Sequence, residues 1–343
     1  MHCKDQTLSQ ILLIGLLAMA LSGCIVDLRP LPESIQDEVE MALDRGFDGI
    51  IVHVNQPDGM AFYTAGWNNR ESQISAEAHA LFKIASISKL YMAAAATMMV
   101  ADGELSLDQT LEELLPEVSD RIEYSDEITL ELLIQHRSGL RNYTDEQVRP
   151  WDTTITELSQ MYQFILDVPA EFKPDRRYQY SNTNYFLLGE IMDKTLGYRH
   201  HHYIQDQILT PLGLTNTYHV QEHVNLDDVM SGYLVGWDPD VKDWDHWRPG
   251  GSMIATAEDV AVFVRALNDG SLFTEEEQAI YTSVYKYKHT GWLPGYTSIV
   301  EYHNDIDAVV VQFVNTSSGE MFWFDLRRVY SRVLRILEKE QKG

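Results

Sequence analysis

Cysteine is almost missing from this chain: of 343 residues, only Cys3 and Cys24 carry a thiol. A domain starting after residue 24 therefore has no disulfide to brace it and must hold together by packing. Positive charge is scarce as well. Lys and Arg total 26 against 52 Asp and Glu, a formal net charge of −26. Such a field repels nucleic acid and anionic membrane surface, which excludes both as electrostatic partners. It also gives no long-range pull on a carboxylate substrate, so any recognition of an anion has to be local. No segment after residue 24 is apolar over the roughly 20 residues that a transmembrane helix needs. A Gly-x-Ser-x-Gly nucleophile elbow, a phosphate loop and a dinucleotide fingerprint are all lacking, as are internal repeats and low-complexity tracts.

What is present begins at the N-terminus. Ile11 to Leu21 is a short apolar run preceded by Lys4 and closed by Leu21-Ser22-Gly23-Cys24. Its length suits a signal-peptide core rather than a membrane span. Small residues and a cysteine where the apolar core ends resemble a bacterial lipobox, with residues 1–24 as the lipoprotein signal peptide and Cys24 as the lipidated residue. The mature chain, 25–343, is then expected in the cell envelope, tethered to a membrane by lipid. Ile25, rather than Asp, after the cysteine resembles enterobacterial lipoproteins of the outer membrane, which face the periplasm.

Along the mature chain the periodicity changes twice. Ser34 with Asp37 opens a helix whose Ile35, Val39 and Ala42 share a face, ended by Gly46. Gly49 to Val54 and Met60 to Thr64 flank Pro57-Asp58-Gly59 and read as a hairpin. Tyr296 to Tyr302 and Ala308 to Val314 form a second β region, followed by a helix with Phe322, Leu326, Val329, Val333 and Leu337 on one stripe. Between them the signals are helical: Thr154 with Glu157, Asn184 to Gly197, and Thr256 with Asp259 to Gly270. Strands at both ends with helices between predict a sheet assembled from the chain ends and a large helical insertion.

The chemistry rests on Ser86-Ile87-Ser88-Lys89. On a helix, residues three apart share a face, so the Lys89 amine can reach the Ser86 hydroxyl. A desolvated lysine can then take the serine proton. The following run, Leu90 to Val100, is apolar all round and predicts a buried helix. Alone, a Ser-x-x-Lys match arises by chance about once per chain of this length, and Ser283-Val284-Tyr285-Lys286 is a second; no buried helix follows that one. Order adds the specificity: Tyr180-Ser181-Asn182 follows the first match, and His289-Thr290-Gly291 follows that. These three motifs, in this order, resemble the signatures of penicillin-binding proteins and class C β-lactamases. The flanking Leu81-Phe82-Lys83-Ile84-Ala85, Gln135-His136-Arg137-Ser138-Gly139-Leu140, Pro211-Leu212-Gly213-Leu214 and Gly250-Gly251-Ser252-Met253-Ile254 also look like that family, from about Ile35 to Val333.

The resemblance implies an α/β (α+β) fold of the β-lactamase/transpeptidase type. It has an antiparallel sheet with helices on both faces (about 31–100 and 285–343) and a helical subdomain (about 101–284). It implies that Ser86 forms an acyl-enzyme, with Lys89 and Tyr180 acting together as base and then acid. Asn182 would bond Lys89 or the substrate amide. His289, in a place more often held by lysine, would help orient Tyr180 and a substrate carboxylate, with Thr290 and Gly291 beside it. The backbone N–H groups of Ser86 and Trp292 would form the oxyanion hole. A neutral histidine attracts a carboxylate less firmly than lysine does. In a regular strand Lys286 and Lys288 would face away from His289, which weakens the case for an efficient β-lactamase. No glutamate is placed as a class A deacylation base. The implied partner is a small-molecule or peptide substrate (a β-lactam, a peptidoglycan stem peptide or an ester), with no cofactor and no metal, and the chain is expected to be monomeric.

Two other patterns compete. His219-Val220-Gln221-Glu222-His223 fits a zinc motif, which needs both imidazoles on one helix face; the sequence before it reads as a loop. Arg199-His200-His201-His202-Tyr203 reads as a solvated helix edge, since adjacent helical residues do not share a face. A catalytically silent envelope binding protein of the same fold is the alternative of another class.

Overall fold

The computed structural model describes residues 30–145 and 157–342. The Ser34 side chain accepts the Asp37 N–H while the Asp37 carboxylate accepts the Ser34 N–H, capping α1 (Ile35–Ala42) as expected. β1 (Gly49–Gln56) and β2 (Gly59–Asn69) form the hairpin, and β3 (Ile74–Ser75) extends it. The apolar run becomes α2 (Ser88–Ala101), buried from Ser88 to Met99. α3 (Asn182–Leu196) ends at Gly197, whose φ of 73° is the left-handed stop glycine provides. α4 (Ala257–Asp269) starts at a Thr256 cap, and α5 (Glu275–Val284) follows. The chain closes with β4 (His289–Leu293), β5 (Tyr296–His303), β6 (Ala308–Val314) and α6 (Glu320–Glu340).

The sheet runs β3-β2-β1-β6-β5-β4, antiparallel throughout, so the two chain ends meet at its centre. Alternation on the strands divides two cores. Ile50, Val52, Val54, Val310 and Val314 pack under α1 and α6, against Val39, Leu326, Val329 and Val333. Ile51, Val309, Val311 and Phe313 face the other way, into a larger core with Phe82, Leu90, Tyr91 and Phe263. The predicted stripe on the last helix is thus the face that covers the sheet.

The middle of the chain is less purely helical than its sequence predicts. Phe82–Lys83, Ile254–Ala255 and Thr217–Tyr218 form a small antiparallel sheet, and Tyr233–Leu234 pairs with Thr316–Ser317. Two-residue strands leave no periodicity to read. The helix expected from Thr154 starts outside the described residues; what is described is a seven-residue 3-10 helix, Leu158–Phe164. The histidine cluster is not a solvated edge. His200 is buried with Nδ1 2.6 Å from Asp193 Oδ1, His201 stacks on His219 at 5.0 Å, and His202 alone of the three is exposed. His219 and His223 do not share a helix face: His219 is buried just after a strand, and His223 is exposed in a 3-10 turn.

Candidate active site

A short strand, Phe82–Lys83, delivers the chain to a 3-10 turn, Ala85–Ile87, that carries Ser86 into α2. Ala85 has φ 52°, a left-handed conformation uncommon for a residue with a Cβ. Two ties hold the turn. Ser88 Oγ donates to Ala85 O at 2.6 Å and accepts the Met253 N–H at 3.2 Å. Strand β4 presses on its other side, and only a glycine permits the approach: a Cβ on Gly291 would lie 2.3 Å from Ser298 Oγ and 2.5 Å from Ile84 O.

Lys89, only 1% exposed, points its amine at Ser86 Oγ (3.2 Å) and donates to Gly250 O at 2.6 Å. Burial first, and the nearby positive charge of Lys286 second, lower its pKa to about 7. Near neutral pH a large share of Lys89 is therefore free amine. That amine can keep an N–H on Gly250 O and offer its lone pair to the Ser86 hydroxyl. Gly250 has φ 74° and lies against the Lys89 stem, where a Cβ would meet Lys89 Cγ at 3.1 Å.

Tyr180 donates from its hydroxyl to Ser86 Oγ at 2.7 Å. Burial raises its pKa, so it is a phenol and a proton donor here. The buried His136 ring stands 4.5 Å behind the Tyr180 ring, and His136 Nδ1 accepts the Ser181 N–H. Asn182 Oδ1 lies 3.4 Å from the Tyr180 hydroxyl, and its Nδ2 donates to Thr144 Oγ1 at 3.0 Å. No bond from Asn182 to Lys89 is formed among the described residues, so of its two expected partners the substrate amide is the one left.

Ser86, Tyr180, Asn182 and Trp292 line one cleft of about 230 Å³ with Tyr143, Thr144, His246, Arg248, Gly250 and others. His289, Thr290 and Gly291 are not in its lining. His289 is buried, and its ring centroid is 6.3 Å from that of Tyr180. Burial and the charges of Lys286 and Lys89 keep it neutral, with its pKa well below the usual range. In that state Nδ1–H donates to Thr290 O at 2.6 Å and Nε2 accepts from Tyr285 Oη at 3.1 Å. The expected bond from His289 to Tyr180 is not made, because Tyr285 occupies that nitrogen.

Lys286 also departs from expectation. β4 begins only at His289, so strand alternation does not govern residue 286, and its charge reaches Lys89 and His289. Lys288 instead pairs with Glu301. Sequence reading missed the functions open to Gly250, His136 and Arg248. Each depends on a contact with a residue far along the chain, and none carries a local signal beyond the flanking resemblance.

Residues 33–286 match the Beta-lactamase family, and the chain belongs to it. Among its relatives is penicillin-binding protein 4 of Amycolatopsis lactamdurans, 29% identical over 217 residues, which are 60% of this chain and 56% of that protein. The chain spans about half or less of the length of the first curated relatives it matches. The fold is shared with D-amino acid amidase from Ochrobactrum anthropi SV3, seen with L-phenylalanine amide (TM-score 0.77, 23% identity, 90% of this chain and 98% of that one). It is shared too with a penicillin-binding protein from Bacillus halodurans (TM-score 0.72, 21% identity, 89% and 99%).

Proposed function

We propose that this protein is a serine hydrolase that cleaves an amide or ester through an acyl-enzyme on Ser86, a β-lactamase-related, DD-carboxypeptidase-like enzyme of the cell envelope. The observation that carries this is the pair of bonds converging on Ser86 Oγ, from a phenol at 2.7 Å and from a buried amine with a pKa near 7 at 3.2 Å. Ser86 Oγ bonds to the substrate carbonyl carbon while its proton passes to Lys89. That proton then goes to the leaving amine or alkoxide, with the Tyr180 hydroxyl bridging Ser86 and the leaving atom. Water, deprotonated by the same pair, releases the acyl group. The Ser86 and Trp292 backbone N–H groups stabilise the oxyanion, and Asn182 holds the substrate amide. Thr290 and Gly291 keep β4 against the nucleophile turn, and His289 supports Tyr285 behind the site. The likeness of fold to a D-amino acid amidase favours a second reading, hydrolysis of small esters or D-amino-acid amides at the same centre.

Intact-mass spectrometry with a penicillin tests the nucleophile. A penicilloyl adduct on the wild-type protein and none on Ser86→Ala is the expected outcome. An adduct on both proteins would remove Ser86 from the mechanism. A fleeting adduct would mark a lactamase and a persistent one a penicillin-binding protein, a difference of a few kcal/mol in the deacylation barrier.

A further inference from the structure

Of three arginines among the described residues, buried Arg332 and half-buried Arg265 have carboxylate partners, and buried Arg248 has none. Arg332 meets Glu38 Oε2 at 2.7 Å and the Pro30 carbonyl at 2.9 Å. Arg265 meets Asp307, Asn55 Oδ1 and the Asn55 carbonyl. Arg248 is 9% exposed and forms no ion pair among the described residues. The one hydrogen bond of its side chain there runs from Nε to Met161 Sδ at 3.3 Å, and a thioether is a weak acceptor. Its two terminal NH₂ groups therefore have donors to spare. Holding a cation away from water without a partner is costly, and Arg248 does so in the wall of the cleft that contains Ser86.

The wall itself is shaped for the purpose. Over residues 245–248 the side chains alternate: His246 and Arg248 line the Ser86 cleft, and Asp245 and Trp247 line a separate, larger cavity. Asp245, the carboxylate nearest in sequence, lines that other cavity and reaches Arg248 by its charge alone, without an ion pair. His246 adds a second unmet group on the cleft side, a buried Nε2 with no hydrogen-bond partner. Two residues beyond Arg248, the Gly250 carbonyl fixes Lys89. The positive charge is therefore anchored in the segment that sets the base.

We propose that Arg248 is the receptor for a carboxylate on the substrate, so that the preferred esters or amides carry an anionic group in the acyl or the leaving part. His289, neutral and outside the cleft lining, does not supply that charge. With a net charge of −26 pushing anions away at long range, a fork of N–H donors inside the cleft is the local recognition such a substrate requires. The proposal rests on Ser86 being the nucleophile, and the test keeps the two apart.

Two matched pairs of esters are assayed with the full chain: mono-p-nitrophenyl glutarate against p-nitrophenyl glutaramate, and 3-carboxyphenyl acetate against 3-carbamoylphenyl acetate. The wild type should favour the anionic member of one pair by about tenfold or more in kcat/KM. Arg248→Gln should bring that ratio to about one, and Arg248→Lys should leave an intermediate ratio, since a point charge replaces a planar fork. A ratio near one in the wild type for both pairs, or a preference that survives Arg248→Gln, overturns the proposal. Turnover that persists in Ser86→Ala instead defeats the nucleophile assignment. In that event glutarate binding decides on Arg248: glutarate should raise the Tm of the wild type but not of Arg248→Gln, with glutaramide inert on both, and no glutarate shift in the wild type counts against it.

Discussion

At the scale of single residues, the proposed mechanism turns on the proton affinity of Lys89. A buried amine with pKa about 7 is protonated, and useless as a base, below that pH; it is free above it. Acylation should therefore rise with pH through a limb near 7. Lys286 helps hold the value down, because a positive neighbour disfavours a second positive charge. Removing it as Lys286→Gln should move the limb to higher pH, read as the acidic arm of kcat/KM against pH; an arm that stays in place would exclude Lys286 from tuning the base. Ser86, Lys89, Tyr180 and Asn182 were legible in sequence because short spacing and order along the chain identify them. The partners that make them work were not. Gly250 is 161 residues from the amine it holds, and no periodicity announces such a pairing. His289 was legible as a motif residue but not in its bonding, because only the fold reveals that Tyr285 sits against its Nε2.

At the scale of elements, the turn that carries Ser86 depends on a strand that barely fits beside it. Gly291→Ala would place a methyl group within 2.5 Å of a backbone oxygen. Overpacking of this kind costs about 1–3 kcal/mol. β4 would be displaced from the turn together with Trp292, whose N–H is assigned to the oxyanion. The variant should lose several degrees of Tm and acylate far more slowly than its residual folding explains, measured as penicilloyl adduct per folded molecule. Normal acylation at full stability would mean that β4 has slack. The long elements were readable: a fully apolar run gave a buried helix at Ser88–Ala101, and alternation with a Pro-Asp-Gly turn gave the first hairpin. The elements that failed to show were short or irregular, such as the two-residue strands that knit residues 82–83, 217–218 and 254–255 together.

At the scale of the whole molecule, the sheet built from both chain ends was predictable, since the long β-type segments of the described residues lie there. Its strand order, with β1 against β6, was not, because register between distant strands is set by packing. Cys24 lies outside the described residues, and its lipidation is a proposal. In a cell making palmitate-labelled lipoproteins, the wild-type chain should carry label and pellet with membranes, whereas Cys24→Ser should carry none and become soluble. Label on the serine variant would place the anchor elsewhere.

The meeting of the chain ends also bears on how such a protein is born. Ile50 finds its partner Val314 only after more than 250 further residues have been made. Until then β1 has β2 alone for company, and an isolated hairpin is marginal in water. The sheet therefore cannot close until the C-terminal strands have been made. For a chain exported as proposed, that order suits a secretion channel, which passes slack chain and stalls on finished domains.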